Sequence, residues 1–81
     1  MKHKIKDKKA LGFNKWVIAI ELIPESADEK QEIKLIENMQ ANHEQRERIN
    51  NYVLFCLENY SVYNLIQQKG NVFVVEALYG V

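Results

Sequence analysis

The sequence predicts a small α+β domain with the element order β-α-α-β, in which a helical hairpin packs on a small antiparallel sheet. Two segments with apolar side chains at most positions, 15–23 and 71–81, predict the strands. Between them, helical spacing of apolar residues and capping signals predict the helices. A chain of 81 residues forms one domain. We divide it into a basic N-terminal arm, residues 1–14, and a single α+β domain, residues 15–81.

The net charge of zero conceals an uneven distribution of charge along the chain. Residues 1–15 contain six lysines and one acidic residue, Asp7, so they carry +5 and leave −5 on residues 16–81. The six lysines are Lys2, Lys4, Lys6, Lys8, Lys9 and Lys15. We expect the arm to be a solvated terminus or a short edge segment. In the alternative, it folds back as a third strand through Ile5, Leu11 and Phe13.

Both predicted strands are apolar on both faces. The strand at 15–23 alternates in the manner of a strand, and Pro24 ends it because proline cannot donate a hydrogen bond to a ladder. The strand at 71–81 alternates in the same way around Glu76. A helical hairpin covers only one face of such a sheet. We therefore expect a homodimer, in which a second copy covers the other face or pairs with the free strand edges.

A first helix is predicted directly after the first strand. Ser26 and Glu29 have the spacing of a capping box, and Ile33, Ile36 and Met39 lie on one helical stripe. The acidic residues near its start suit the positive end of the helix dipole.

The apolar pattern stops between residues 40 and 48, where Ala41 is the only apolar residue. Two interpretations are open. The chain turns near Asn42, which caps a second helix with Gln45 at the N3 position. Alternatively, one helix of about 33 residues extends for roughly 50 Å. We favour the turn, because the middle of so long a helix would remain uncovered by a small sheet.

The second helix is predicted from about Glu44 to Glu58, on a stripe that includes Ile49, Val53 and Cys56. A short third helix then begins at Ser61. Gly70 lies where the left-handed glycine that follows a helix is expected.

Residue patterns typical of catalysis or metal binding are weak. Glu21 and Glu76 are the lone carboxylates of the two apolar strands, and a close buried pair would have perturbed pKa values. We interpret them instead as solvent-facing or edge positions, or as partners of lysines in the arm. His43 and Glu47 belong to a solvated helix face. Cys56 is interpreted as structural, and a single cysteine excludes an internal disulfide. We therefore predict no catalytic residue, no cofactor and no metal ion.

The function that the sequence favours is a small, non-enzymatic, cytoplasmic protein-binding module that regulates or inhibits a cytosolic protein. The candidate partner-binding surface is the acidic first helix, with Glu25, Asp28, Glu29, Glu32 and Glu37. The alternative is a nucleic-acid-associated protein that binds phosphates through the six N-terminal lysines. No membrane span is expected. Lys, Asn and Ile make up 25 of the 81 residues, and their AT-rich codons favour a low-GC bacterium, a phage or a plasmid as the source.

Overall fold

Residues 1–80 form an α+β fold of four strands and two helices. The structure, a computed structural model, describes residues 1–80. Its elements are β1 (Lys2–Gly12), β2 (Lys15–Ile23), α1 (Ala27–Glu37), α2 (His43–Cys56), β3 (Tyr60–Lys69) and β4 (Val72–Tyr79). The strands form one antiparallel sheet in the order β1-β2-β4-β3. The α+β class is confirmed. The predicted order β-α-α-β is wrong, because it lacks β1 and β3; the order is β-β-α-α-β-β.

The N-terminal segment is an edge strand. Residues 2–12 pair with β2 along their whole length, through a turn at which Asn14 adopts a positive φ of 59°. The register shifts between Ile5 and Asp7 and again between Ala10 and Gly12. Every residue of β1 is exposed. Of the alternatives for this segment, the structure therefore shows the additional strand.

The short helix predicted from Ser61 is wrong, because Tyr60–Lys69 forms β3. Val62, Leu65 and Gln68 pair with alternate residues of β4. The helical spacing of residues 60–69 is weak, so pairing with the apolar strand β4 determines their conformation. Gly70 does adopt a positive φ of 61°, but it does so in the turn between β3 and β4. The predicted final strand is β4, and Val81 lies outside the described residues.

The helical region is divided at Asn42, as the capping pattern predicts. The Asn42 side chain accepts a hydrogen bond from the Gln45 backbone N–H at 2.9 Å, and the Asn42 N–H donates to the Gln45 side chain at 3.0 Å. Ser26 caps α1 by accepting from the Glu29 N–H at 3.2 Å. Met39 is not on the buried stripe. The helix has already ended at Glu37, so Met39 takes a positive φ and is 81% exposed.

The core lies between the two helices and one face of the two central strands. The alternation of β2 and β4 places one of their two apolar faces inward, and the helices add one apolar stripe each. The core residues are Ile18, Ile20, Leu22, Ile33, Ile49, Val53, Leu57, Phe73, Val75 and Ala77. Both helices of residues 1–80 lie on this side, so none of the described helices covers the opposite side of the sheet.

Candidate binding surface

The side of the sheet opposite the helices is its open face. Residues directly paired in antiparallel strands project to the same side, so the register assigns side chains to this face. From the two central strands it receives Val17, Ala19, Glu21, Ile23, Val72, Val74, Glu76 and Leu78. Their chain neighbours in β2 and β4 fill the core.

An aliphatic stripe runs along the middle of the open face. We define it as Val17, Ala19, Val72, Val74 and Leu78, all of which are partly exposed. Ala19 lies directly opposite Val74, and Val17 lies opposite Glu76. No helix of residues 1–80 covers this stripe. Aliphatic groups in the centre of an accessible face are typical of surfaces that bind another protein.

Four of the six N-terminal lysines flank the stripe on the open face. Lys2, Lys4 and Lys9 pair with Ile23, Glu21 and Val17, and Lys15 pairs with Leu78. We call Lys2, Lys4, Lys9 and Lys15 the lysine row.

The irregularity at Lys6 in β1 determines which lysines belong to the row. A strand with strict alternation would place Lys2, Lys4, Lys6 and Lys8 on one face. The register shift between Ile5 and Asp7 moves Lys9 to the open face and Lys8 to the helix side. The lysine pattern of the sequence therefore does not by itself give the charge distribution of the sheet.

Lys8 lies against an aromatic cluster on the helix side of the sheet. Its Nζ is 5.2 Å from the ring centroid of Trp16 and 5.1 Å from that of Tyr60. Tyr60 in turn meets Tyr79 edge-on, with the ring centroids 5.2 Å apart. The distances fit cation–π contacts, so this lysine stabilises the end of the sheet.

Glu21 and Glu76 both lie on the open face but do not form a carboxylate pair. Glu76 is opposite Val17 and Glu21 is opposite Val72, a separation of four residues along the strands or about 13 Å. The Glu76 carboxylate accepts hydrogen bonds from the Tyr63 hydroxyl at 3.1 Å and the Asn64 side-chain amide at 2.9 Å. Loss of solvation, together with the hydrogen bond to Glu76, raises the pKa of Tyr63.

The acidic residues predicted to form the partner-binding surface largely serve contacts within the chain, and one of them, Glu25, lies before the start of α1. The Met1 ammonium lies 2.9 Å from Glu25 Oε1 and 3.0 Å from Glu29 Oε2. Glu32 Oε1 lies 2.9 Å from Arg48 Nη1 and joins the two helices. The hydrogen bond from the Glu25 N–H and the Met1 ammonium lower the pKa of Glu29.

Of the two remaining acidic residues, Glu37 has a hydrogen-bond partner within the chain and Asp28 is exposed. Glu37 accepts a hydrogen bond from the backbone N–H of Gly70 in the turn between β3 and β4. The structure thus places four of the five acidic residues in internal contacts, which reduces the carboxylate surface that this helix presents.

Cys56 and His43 lie apart from the open face. Burial raises the pKa of the Cys56 thiol, which is half-buried beside Tyr52. Burial, together with the hydrogen bond to Cys56, raises the pKa of Tyr52 to about 12. His43 Nε2 is 3.4 Å from Glu47 Oε2 on an exposed helix face. Within residues 1–80, no three His, Cys, Asp or Glu side chains are grouped as metal ligands would be.

An apolar groove between α2 and β3 is the feature that the sequence reasoning missed. Its volume is about 260 Å³, and its lining includes Val53, Leu54, Val62, Leu65 and Phe73. A second cavity of about 390 Å³ adjoins it at Leu65 and Phe73 and reaches Met39. The apolar side chains among residues 62–66 are visible in the sequence. They form one wall of the groove only because this segment is a strand and not the predicted helix.

Neither helix in the described part of the chain has the length and hydropathy needed to cross a membrane. Comparison of the chain with protein-family models, with curated proteins and with solved structures found no match.

Proposed function

We propose that this protein is a non-enzymatic protein-binding module that regulates or inhibits a cytosolic protein by docking it on the open face. The observation that carries the proposal is the aliphatic stripe, which lies in the centre of the sheet without a covering helix. Its members are aliphatic and not aromatic, and aliphatic patches gain stability by burial against another apolar surface.

The lysine row indicates the charge of the partner. Lys2, Lys4 and Lys9 border the stripe along β1, and Asp7, opposite Ala19, is the one acidic residue among them. Glu76 is held by Tyr63 and Asn64 within the same face, so it is less available to a partner than the lysines are. The complementary protein surface is an apolar patch bordered by carboxylates. Such charges increase the association rate and exclude basic partners.

Selection from a displayed peptide library tests this proposal. The folded 81-residue chain serves as bait. The variant Val74→Lys, which places a charge in the middle of the stripe, serves for counter-selection. We expect the enriched peptides to combine aliphatic residues with Asp or Glu. We also expect their affinity to fall at least tenfold for Val74→Lys.

The matched control is Lys30→Glu, which changes a charge on the exposed surface of α1 and should leave the affinity within about twofold. Enrichment of basic peptides, or affinity that is the same for wild type and Val74→Lys, would overturn the proposal. Circular dichroism of both variants verifies that they are folded.

A second candidate function is sequence-independent binding of nucleic acid phosphates, and the grouping of four lysines on one face favours it. The open face lacks aromatic side chains in the two central strands, so it offers no platform there on which bases stack. Fluorescence anisotropy with a single-stranded and a duplex oligonucleotide, between 50 and 300 mM salt, separates the two functions. Binding that weakens steeply with salt and with Lys4→Glu supports this candidate. Absence of binding at the lowest salt removes it.

A further inference from the structure

We propose that β3 is the dimerisation edge of the protein and that its partner there is a second copy of the same chain. Two copies would pair their β3 strands antiparallel about a twofold axis and join two sheets into one. This surface is separate from the open face, so the inference does not depend on the function proposed above.

The two edges of the sheet differ sharply in charge. β1 carries Lys2, Lys4, Lys6, Lys8, Lys9 and Asp7. In β3, residues 60–68 contain no lysine, arginine, aspartate or glutamate. Lysines on an edge strand oppose pairing with another edge. β1 therefore has the protection that natural sheets use along its length, whereas β3 has a lysine only at its last residue, Lys69.

Exposed apolar side chains accompany the uncharged edge. We define the β3 edge surface as Met39, Leu54, Leu65 and Ile66, which are between 43% and 81% exposed. Leu65 lines the groove beside Leu54 and also the adjoining cavity that reaches Met39. Met39, Leu54 and Leu65 therefore form a continuous surface from α2 to β3, and Ile66 follows Leu65 in the strand. The groove that it borders offers space for apolar side chains of a partner.

A second copy fits this surface because a twofold axis brings the β3 edge surface of one copy against the same surface of the other copy. An isologous interface brings each side chain near its own counterpart or near a close neighbour, so like charges would repel. Pairing of β1 with β1 would bring ten lysines and their charges into one interface. Pairing of β3 with β3 brings together aliphatic groups and strands in which Lys69, the last residue, is the one charged side chain.

The register shifts of β3 limit how much of the strand can form a ladder. They lie between Val62 and Asn64 and between Leu65 and Gln67. Since bulges bend a strand, we expect short runs of backbone pairing, with Leu54, Leu65 and Ile66 supplying most of the stability. The interface is small beside the roughly 1,600 Å² of a standard protein complex. We therefore expect a weak dimer, with a dissociation constant on the order of micromolar.

Sedimentation velocity of the full chain between 5 and 500 µM tests the proposal. We expect a monomer–dimer equilibrium that hardly changes between 0.05 and 0.5 M salt, because the interface contains few charges. Ile66→Lys, at an exposed position of β3, should shift the chain to monomer at every concentration. The matched control is Leu11→Lys on β1, whose native side chain is 52% exposed against 48% for Ile66, and it should dimerise as wild type does.

Hydrogen exchange of the β3 amides locates the interface directly. Protection of β3 should rise with protein concentration, while that of β1 should not. A wild-type monomer at 500 µM, or a dimer that survives both Ile66→Lys and Leu65→Lys, overturns the proposal. A dimer that is lost with Val74→Lys but kept with Ile66→Lys also overturns it, because the open face is then the interface. Circular dichroism confirms that each variant is folded.

Discussion

The carboxylate of Glu37 accepts a hydrogen bond from the backbone N–H of Gly70, 33 residues further along the chain. This contact links the last residue of α1 to the turn between β3 and β4. Gly70 has a positive φ of 61°, a conformation that most residues adopt only at a cost. A carboxylate that looked from the sequence like a partner-binding group thus fixes the geometry of a hairpin.

Loss of this contact should lower the free energy of unfolding. We expect Glu37→Ala to destabilise the protein by about 1 kcal/mol, since a charged acceptor is removed from an exposed backbone donor. Glu37→Gln should lose less, because its side-chain oxygen still accepts. Urea denaturation measures both variants. Glu58→Gln changes an exposed carboxylate between α2 and β3 and should stay within about 0.5 kcal/mol of wild type.

The ion pairs of Met1 should make stability depend on pH in two ranges. Glu25 and Glu29 raise the pKa of the Met1 ammonium above 8.0, so its contribution is complete below pH 8 and disappears as the pH rises through the folded-state pKa. The pKa of Glu29 is lowered from 4.5, so its contribution is present above pH 4.5 and disappears as the pH falls through its folded-state pKa.

Melting temperatures between pH 3 and pH 10 test this behaviour in wild type and Glu29→Gln. We expect the variant to show a smaller decrease at both ends of the range. Equal decreases in the two proteins would show that the Met1 contact does not contribute. The raised pKa of Tyr52, about 12, adds a further loss of stability above pH 10.

Lys8 should stabilise the fold more than Lys9, although the two are adjacent in β1. Lys8 lies over Trp16 and Tyr60, whereas Lys9 projects to the open face. An exposed cation–π contact contributes about 0.5–1 kcal/mol. We expect Lys8→Gln to lower the free energy of unfolding by about 0.5 kcal/mol more than Lys9→Gln. Urea denaturation with Trp16 fluorescence as the signal measures the difference, and equal values would contradict the assignment.

Removing the side chain of Asn42, which caps α2, should lower the free energy of unfolding more than removing the side chain of Asn51 within the helix. Asn42 accepts from the Gln45 N–H, whereas Asn51 is exposed within the same helix. We expect Asn42→Ala to destabilise the protein by about 1 kcal/mol, because the first turn of the helix loses its acceptor. Asn51→Ala should be neutral or slightly stabilising, since alanine has the higher helix propensity. A similar loss in both variants, measured by thermal unfolding, would be inconsistent with the cap.

The sequence by itself determined the features that depend on neighbouring residues. The alternation of β2 and β4 identified the two strands but not which of their faces is buried, and the capping patterns at Ser26 and Asn42 located the starts of both helices. These features are local, since period-two burial and a side chain bonded to an N–H three residues away are both visible within a few residues.

Only the tertiary structure decided the rest. β3 is a strand because it pairs with β4, and no pattern within residues 60–69 predicts this pairing. The irregularity at Lys6 divides the lysines between the two faces of the sheet. The carboxylates of Glu32 and Glu37 are occupied by Arg48 and Gly70, which the chain brings close only when it is folded. Pairing between distant segments sets both register and charge partners, so the candidate binding surface appears only once the four strands are assembled.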